Sequence, residues 1–212
     1  MFMSCASTDS NSTKYSLNCI NNSTVSWNFY MFQKMPNQPK DIFSLAWLVS
    51  PYKIAKNNHI KFEWSIDYTF IWANTGTLQP GVTYDAGGSY PCSPNGNNLT
   101  TFEIIDNAPT LSIPTTGGTD GSLTIQEGSL FPNSTYSTGI GMSGQGTFAK
   151  QALVNTKQLY TPNPEYYIAA ADSVQSGCVL EQVITEAKLV KFPDHNYNLT
   201  ATLTSDNTWS IV

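Results

Sequence analysis

Between His59 and Trp72 the chain alternates without a break. Ile60, Phe62, Trp64, Ile66, Tyr68, Phe70 and Trp72 fall on one parity, and His59, Lys61, Glu63, Ser65, Asp67, Thr69 and Ile71 on the other. A helix would scatter those aromatics around its circumference, whereas a strand collects them on one side and leaves most of the charge on the other. The segment therefore predicts a long strand. At about 3.3 Å per residue it would run beyond roughly 40 Å, which calls for a bend or bulge near its middle.

The surrounding sequence supplies strands to pair with it. Val25, Trp27, Phe29 and Met31 share one face before Pro36 and Pro39, and residues 44–50 form a short apolar run stopped by Pro51. Further strands are expected at 81–84, 100–105, 110–113, 122–126, 147–153, 165–170 and 178–192, with Gly, Pro, Asn or Asp between most of them. Within the last of these, Val183, Ile184, Ala187 and Val190 fit a helix as well as a strand. Tyr197, Leu199, Ala201 and Leu203 alternate, Ser205, Asp206 and Asn207 turn the chain, and Trp209 and Ile211 return it as a hairpin. No linker divides residues 24–212, so the expectation is one all-β domain: a single antiparallel β-sandwich, with a jelly roll as its specific form. Its core would pair the face of residues 60–72 with residues 25–31 and the C-terminal hairpin. Residues 1–23, rich in Ser, Asn and Thr, read as an irregular N-terminal arm.

Composition narrows the function. Charged residues are only 12% of the chain, and roughly 65 of the 212 residues are Ser, Thr or Asn, types that favour turns and strands over helix interiors. All ten cations are Lys, the net charge is -5 and the sequence pI is near 4.8. Without arginine or a basic stripe, the chain lacks the means to track a phosphate backbone or read guanine, so nucleic acid is not an expected partner. No run reaches the roughly 20 apolar residues of a membrane-spanning helix.

The four cysteines are Cys5, Cys19, Cys92 and Cys178, with no C-x-x-C pair and no histidine at zinc-ligand spacing. Disulfides pairing Cys5 with Cys19 and Cys92 with Cys178 are one of three connectivities, and four free thiols are the alternative. Sequons at Asn11, Asn21, Asn22, Asn98, Asn133 and Asn198 mark N-glycosylation candidates. Chance alone supplies about four of them. Residues 1–5 carry neither a basic segment nor an apolar stretch of an export signal's length. An extracellular or cell-surface setting is weighed slightly ahead of the cytoplasm.

Catalytic patterns fail on context. Residues 139–144 spell G-x-G-x-x-G with Glu165 beyond, but the motif follows a Pro-Asn-Ser-Thr loop and precedes another glycine, Gly146, so no helix opens there to hold a dinucleotide. Packing of a bent strand against its neighbour or a second subunit explains the small residues. Glu63 and Asp67 share a face of the expected strand at roughly 13 Å, wider than glycosidase carboxylates normally stand. They read as a solvated face with Lys61 as charge partner. His59 and His195 are the only imidazoles, and Asp194 beside His195 has no serine elbow to complete a triad. Asp85, Asp106 and Asp120 read as turn formers. No catalytic residue, metal or cofactor is expected. Trp72, Tyr84, Tyr90, Tyr160, Tyr166, Tyr167 and Tyr197 fall at strand ends or in loops, where ring faces stack on sugars or pack an interface.

The strings at 44–47, 62–72 with Thr75-Gly76, 80–82, 139–144 and 198–203 ending in Trp209 resemble the RhiA family of rhizosphere-expressed proteins, most specifically over 62–72. The likeness runs from about residue 25 to the end and leaves out the segment with Cys5 and Cys19. It implies small bacterial and fungal proteins with no established catalytic residues, so no site carries over. The leading expectation is a non-enzymatic structural or interaction protein that self-associates. A lectin-like glycan-binding module is the alternative, ahead of a hydrolase or a membrane-active protein.

Overall fold

The computed structural model describes residues 13–184 and 186–212, and these form seventeen strands, numbered along the chain, and no helix. The strands make four sheets. The first runs in the order β17 (Trp209–Ile211), β16 (Asn198–Leu203), β1 (Lys14–Asn21), β5 (His59–Ser65). The second is β15 (Lys188–Val190), β14 (Glu165–Ala171), β2 (Asn28–Lys34), β4 (Leu48–Val49). The third is β13 (Lys157–Tyr160), β10 (Leu123–Glu127), β8 (Leu99–Ile105), β9 (Ala108–Leu111). The fourth is β3 (Phe43–Ser44), β12 (Gln145–Gln151), β11 (Ser137–Met142), β6 (Tyr68–Ala73), β7 (Gly88–Cys92).

The sheets pack in pairs. Leu17, Phe62, Trp64 and Leu199 of the first sheet join Phe29, Met31 and Ile168 of the second in one apolar cluster, as the alternation predicts for residues 60–64. Phe102, Leu123 and Ile125 of the third meet Phe70, Ile140 and Phe148 of the fourth in another. The second and fourth sheets are covered on their other faces too, by clusters around Tyr30, Phe32 and Ala169 and around Ile71, Ala73 and Ala149. That is why β2, β6 and β11 are buried on both parities, and why residues 25–31 do not behave as a one-faced strand, with Val25 left exposed.

Four expectations change. Where the alternation predicts one strand over 59–72, the chain leaves the first sheet at Ser65 and enters the fourth at Tyr68. The break at Ile66 and Asp67 is clasped by Ser143: its backbone N–H donates to the Asp67 carboxylate at 2.6 Å, and its hydroxyl accepts from the Ser65 N–H at 2.9 Å. The irregular arm predicted for 1–23 is replaced over Lys14–Asn21 by a strand in the interior of the first sheet, paired antiparallel with β5 and parallel with β16. Tyr15, Leu17 and Cys19 supply its inward parity. A second parallel pair, β8 with β10, makes the third sheet mixed as well, where antiparallel pairing alone was expected. Residues 81–84, 178–184 and 186–187 are not strands, and isolated bridges tie Thr83 to Cys178 and Leu45 to Val179.

The glycines of 139–144 also find their reason. β11 lies between β6 and β12, and a Cβ on Gly139 would stand 2.1 Å from the Phe148 carbonyl oxygen. Ser143 and Gly144, with φ of 50° and 74°, form the two-residue turn into β12. These residues serve pairing within one chain.

Candidate functional site: an alanine-floored cleft

Three consecutive alanines end β14: Ala169 and Ala171 face the segment that crosses the second sheet, and Ala170 packs toward the first sheet. Residues 173–184 and 186–187 cross that face without joining it. They are held where the Ala46 N–H donates to the Cys178 carbonyl at 2.8 Å and the Val179 N–H to the Val82 carbonyl at 2.8 Å. Between this crossing segment and the sheet remains an open cleft of about 480 Å³, within the usual size of small-molecule sites. Ala170, Ala171 and Tyr30 form its floor, and Val174, Leu180, Val183 and Ile184 its walls. Cys178, Glu181 and Glu186 also line it.

Tyr30 is 6% exposed. Burial pushes its phenol up to about 12, and the charges of Cys178, Glu181 and Glu186 add to the shift. Burial likewise raises the Cys178 thiol, opposed by the Gly81 backbone N–H. A thiol kept protonated is a poor nucleophile, and no histidine lines the cleft to activate it. The arrangement can enclose an apolar body, with the exposed carboxylates of Glu181 and Glu186 beside it.

A second polar centre is closed. Glu127, 1% exposed, accepts the Thr138 hydroxyl at 2.6 Å through Oε1, while its Oε2 has no partner. Beside it the Tyr160 hydroxyl donates to Gln158 Oε1 at 2.7 Å. Burial raises the Glu127 carboxyl to about 7, opposed by the Thr138 hydroxyl and the Lys150 charge. It is a core carboxyl with consequences for stability.

The residues singled out in the sequence scatter. Tyr84 and Tyr160 are core side chains, 4% and 0% exposed, and cannot face a sugar. Trp72 packs its ring against Gly87 and Gly88. Tyr166 lies between Trp47 and Trp64. Tyr167 stacks on Phe32, with the Lys34 ammonium 5.2 Å from its ring. Tyr90 sits on the edge strand β7, and Tyr197 stands edge-on to Tyr15. Only Tyr166 and Tyr197 come together, around Tyr15, so the seven do not form one sugar platform.

Cys19, Cys92 and Cys178 are free, which removes the Cys92–Cys178 disulfide, while Cys5 lies outside the described residues. Among the sequons, Asn21 and Asn98 are buried: the Asn21 amide donates to the Ile54 and Val25 carbonyls, the Asn98 amide to that of Thr119. Neither is open to glycosylation in the folded chain. Asn22, Asn133 and Asn198 are exposed, and Asn11 lies outside the described residues. Glu63 pairs with Lys61 at 2.7 Å, as read from the sequence, and Asp67 is occupied by Ser143, so these carboxylates do not face one another across a substrate site. Asp106 and Asn107, with φ of 51° and 61°, turn β8 into β9. No group of three or more metal-ligating side chains occurs among the described residues, and no helix there is long and apolar enough to cross a membrane.

The cleft itself was missed. Its one sequence signal is the Ala169-Ala170-Ala171 run opposite an apolar segment without strand periodicity.

No solved structure matches the chain. Protein RhiA of Rhizobium leguminosarum bv. viciae is 46% identical over 200 residues, covering 94% of this chain and 86% of that protein. The RhiA family model matches residues 12–212, so the likeness takes in β1 and Cys19, which the sequence reading left outside it. The chain belongs to the RhiA family.

Proposed function

We propose that this is a non-enzymatic binding protein whose cleft above β14 holds a small, mainly apolar ligand. The observation that carries the reading is the lining itself: the Tyr30 ring, in a residue 6% exposed, with Val174, Leu180, Val183 and Ile184 around an open cleft of about 480 Å³. The paired sheets are read as the layers of one sandwich-like body, which gives the cleft a rigid floor. The test is saturable binding of an uncharged solvatochromic dye such as Nile red. Ala171→Trp, which fills the floor, is expected to abolish it. Val183→Asp, at a position 71% exposed and therefore harmless to folding, is expected to weaken it about tenfold. Dye binding unchanged in both variants would contradict the proposal.

Self-association is a second reading, favoured by one observation. β13 pairs on one side only, with β10, and presents Leu159 at 43% exposure. Free strand edges with exposed leucine recruit second copies. Light scattering is expected to show a concentration-dependent rise in mass that Leu159→Lys removes. A constant monomer mass up to millimolar concentration would overturn this reading without touching the cleft.

A further inference from the structure

We infer that Lys150 is a movable arm, paired with Asp41 while Glu127 is a neutral acid and drawn to the Glu127 carboxylate when that acid loses its proton. Thr138 and Lys150 stand directly opposite one another on β11 and β12, so both side chains leave the fourth sheet on the same face, with Cβ atoms about 5 Å apart. The Thr138 hydroxyl donates to Glu127 Oε1 at 2.6 Å. Lys150 therefore starts beside the partner of Glu127, and its four-carbon stem is flexible. Its ammonium nevertheless donates to Asp41 Oδ2, 2.7 Å away, and none of the three ion pairs among the described residues includes Glu127.

The two carboxylates compete for one cation on unequal terms. The Asp41 side chain is 61% exposed, so water solvates it with or without Lys150, and an ion pair of that kind contributes little. Glu127 is 1% exposed, and its Oε2 has no partner. A neutral acid tolerates that setting, whereas an anion there needs a countercharge. Lys150 is the one cation among the described residues whose charge acts on Glu127. The phenols of Tyr84 and Tyr160, both raised well above their ordinary value by burial, stay neutral beside it, and Asp41 acts on Tyr160 from the loop before β3. On the strands flanking β10, Glu103 and Lys157 carry the parity opposite to Phe102 and Gln158, and so point away from the face of Glu127. Burial raises the Glu127 carboxyl to about 7 with the Lys150 charge opposing the rise, so the exchange falls near neutral pH.

The experiment follows the full chain by carbon-detected NMR from pH 5 to about 9, reading the side-chain carboxyl carbons of Glu127 and Asp41 and the Cε of Lys150. The three signals are expected to move together with one midpoint near 7. Asp41→Asn, at an exposed position, frees the arm, and the Glu127 midpoint is expected to fall by about one pH unit. Lys150→Met removes the charge while keeping the apolar stem, and is expected to raise the midpoint by a similar amount. A purely structural ion pair would alter unfolding and leave the Glu127 titration where it was. The titration of the parent chain decides the matter even where Lys150→Met fails to fold. Lys150 and Asp41 signals that stay flat while Glu127 titrates would overturn the inference, and so would a Glu127 midpoint unchanged in Asp41→Asn. A Glu127 carboxyl silent across the whole range overturns it as well.

Discussion

Stability is expected to fall by about 3 kcal/mol as pH rises from 4.5 to 8, and Glu127→Gln is expected to remove that fall. The Glu127 carboxyl is raised to about 7 from an ordinary value of 4.5, with burial as the main cause. A raised folded-state pKa means that the fold prefers the protonated acid. The stabilisation is therefore complete below 4.5, where folded and unfolded chains are both protonated. It is lost progressively as pH climbs through the folded value near 7, and stability levels off above it. Cys19 and Cys92 are raised by burial as well, but from 9.0, so their effect begins only at alkaline pH. Glu63 is lowered by its contact with Lys61, and it is solvent-exposed, so it acts at the acid end and weakly. Urea unfolding at half-unit steps of pH reads the result. A parent chain with flat stability between pH 5 and 8, or a Glu127→Gln variant that keeps the slope, would contradict the assignment.

The second large effect is expected at Gly139. An added Cβ would lie 2.1 Å from the Phe148 carbonyl oxygen and 3.0 Å from the Ala149 Cα, both backbone atoms of β12, which cannot move without parting the strand pair. Gly139→Ala is expected to cost about 3 kcal/mol or more and to lower the urea midpoint by about 1 M or more. Gly144, five residues on in the same motif, has φ of 74° and open space around its Cα. Gly144→Ala is expected to cost only about 1 kcal/mol, the strain of a left-handed backbone. Equal losses at the two sites would show that close packing is not what the first glycine provides.

The strands were legible where one parity is apolar and the other polar. β5 and the hairpin of β16 and β17 are of this kind, and so is the Lys61–Glu63 pair on the outer face. The break after Ser65 was legible only as a length argument, because its cause is Ser143, 78 residues downstream. β1 carries an alternating Tyr15, Leu17 and Cys19, but the polar Ser16, Asn18 and Asn21 hid it, and Asn21 is itself buried by bonds to Val25 and Ile54. β2 and β6 lie between two layers, so their second apolar parity could not be told from the first without knowing what covers it. Residues 173–184 have no strand period, and among the described residues there isolated bridges tie them to the sheets. The cleft exists because that segment crosses an alanine floor, a relation between distant parts of the chain that local pattern does not encode.

The central claim is the location of the ligand. A methyl-labelled sample titrated with Nile red and followed by NMR addresses it directly. Saturable shifts are predicted for Val174, Leu180, Val183 and Ile184, with the methyls of Leu123, Ile125 and Leu199 unmoved. Shifts centred on residues near Tyr90 or Tyr197, or no saturable shift at all, would contradict the account.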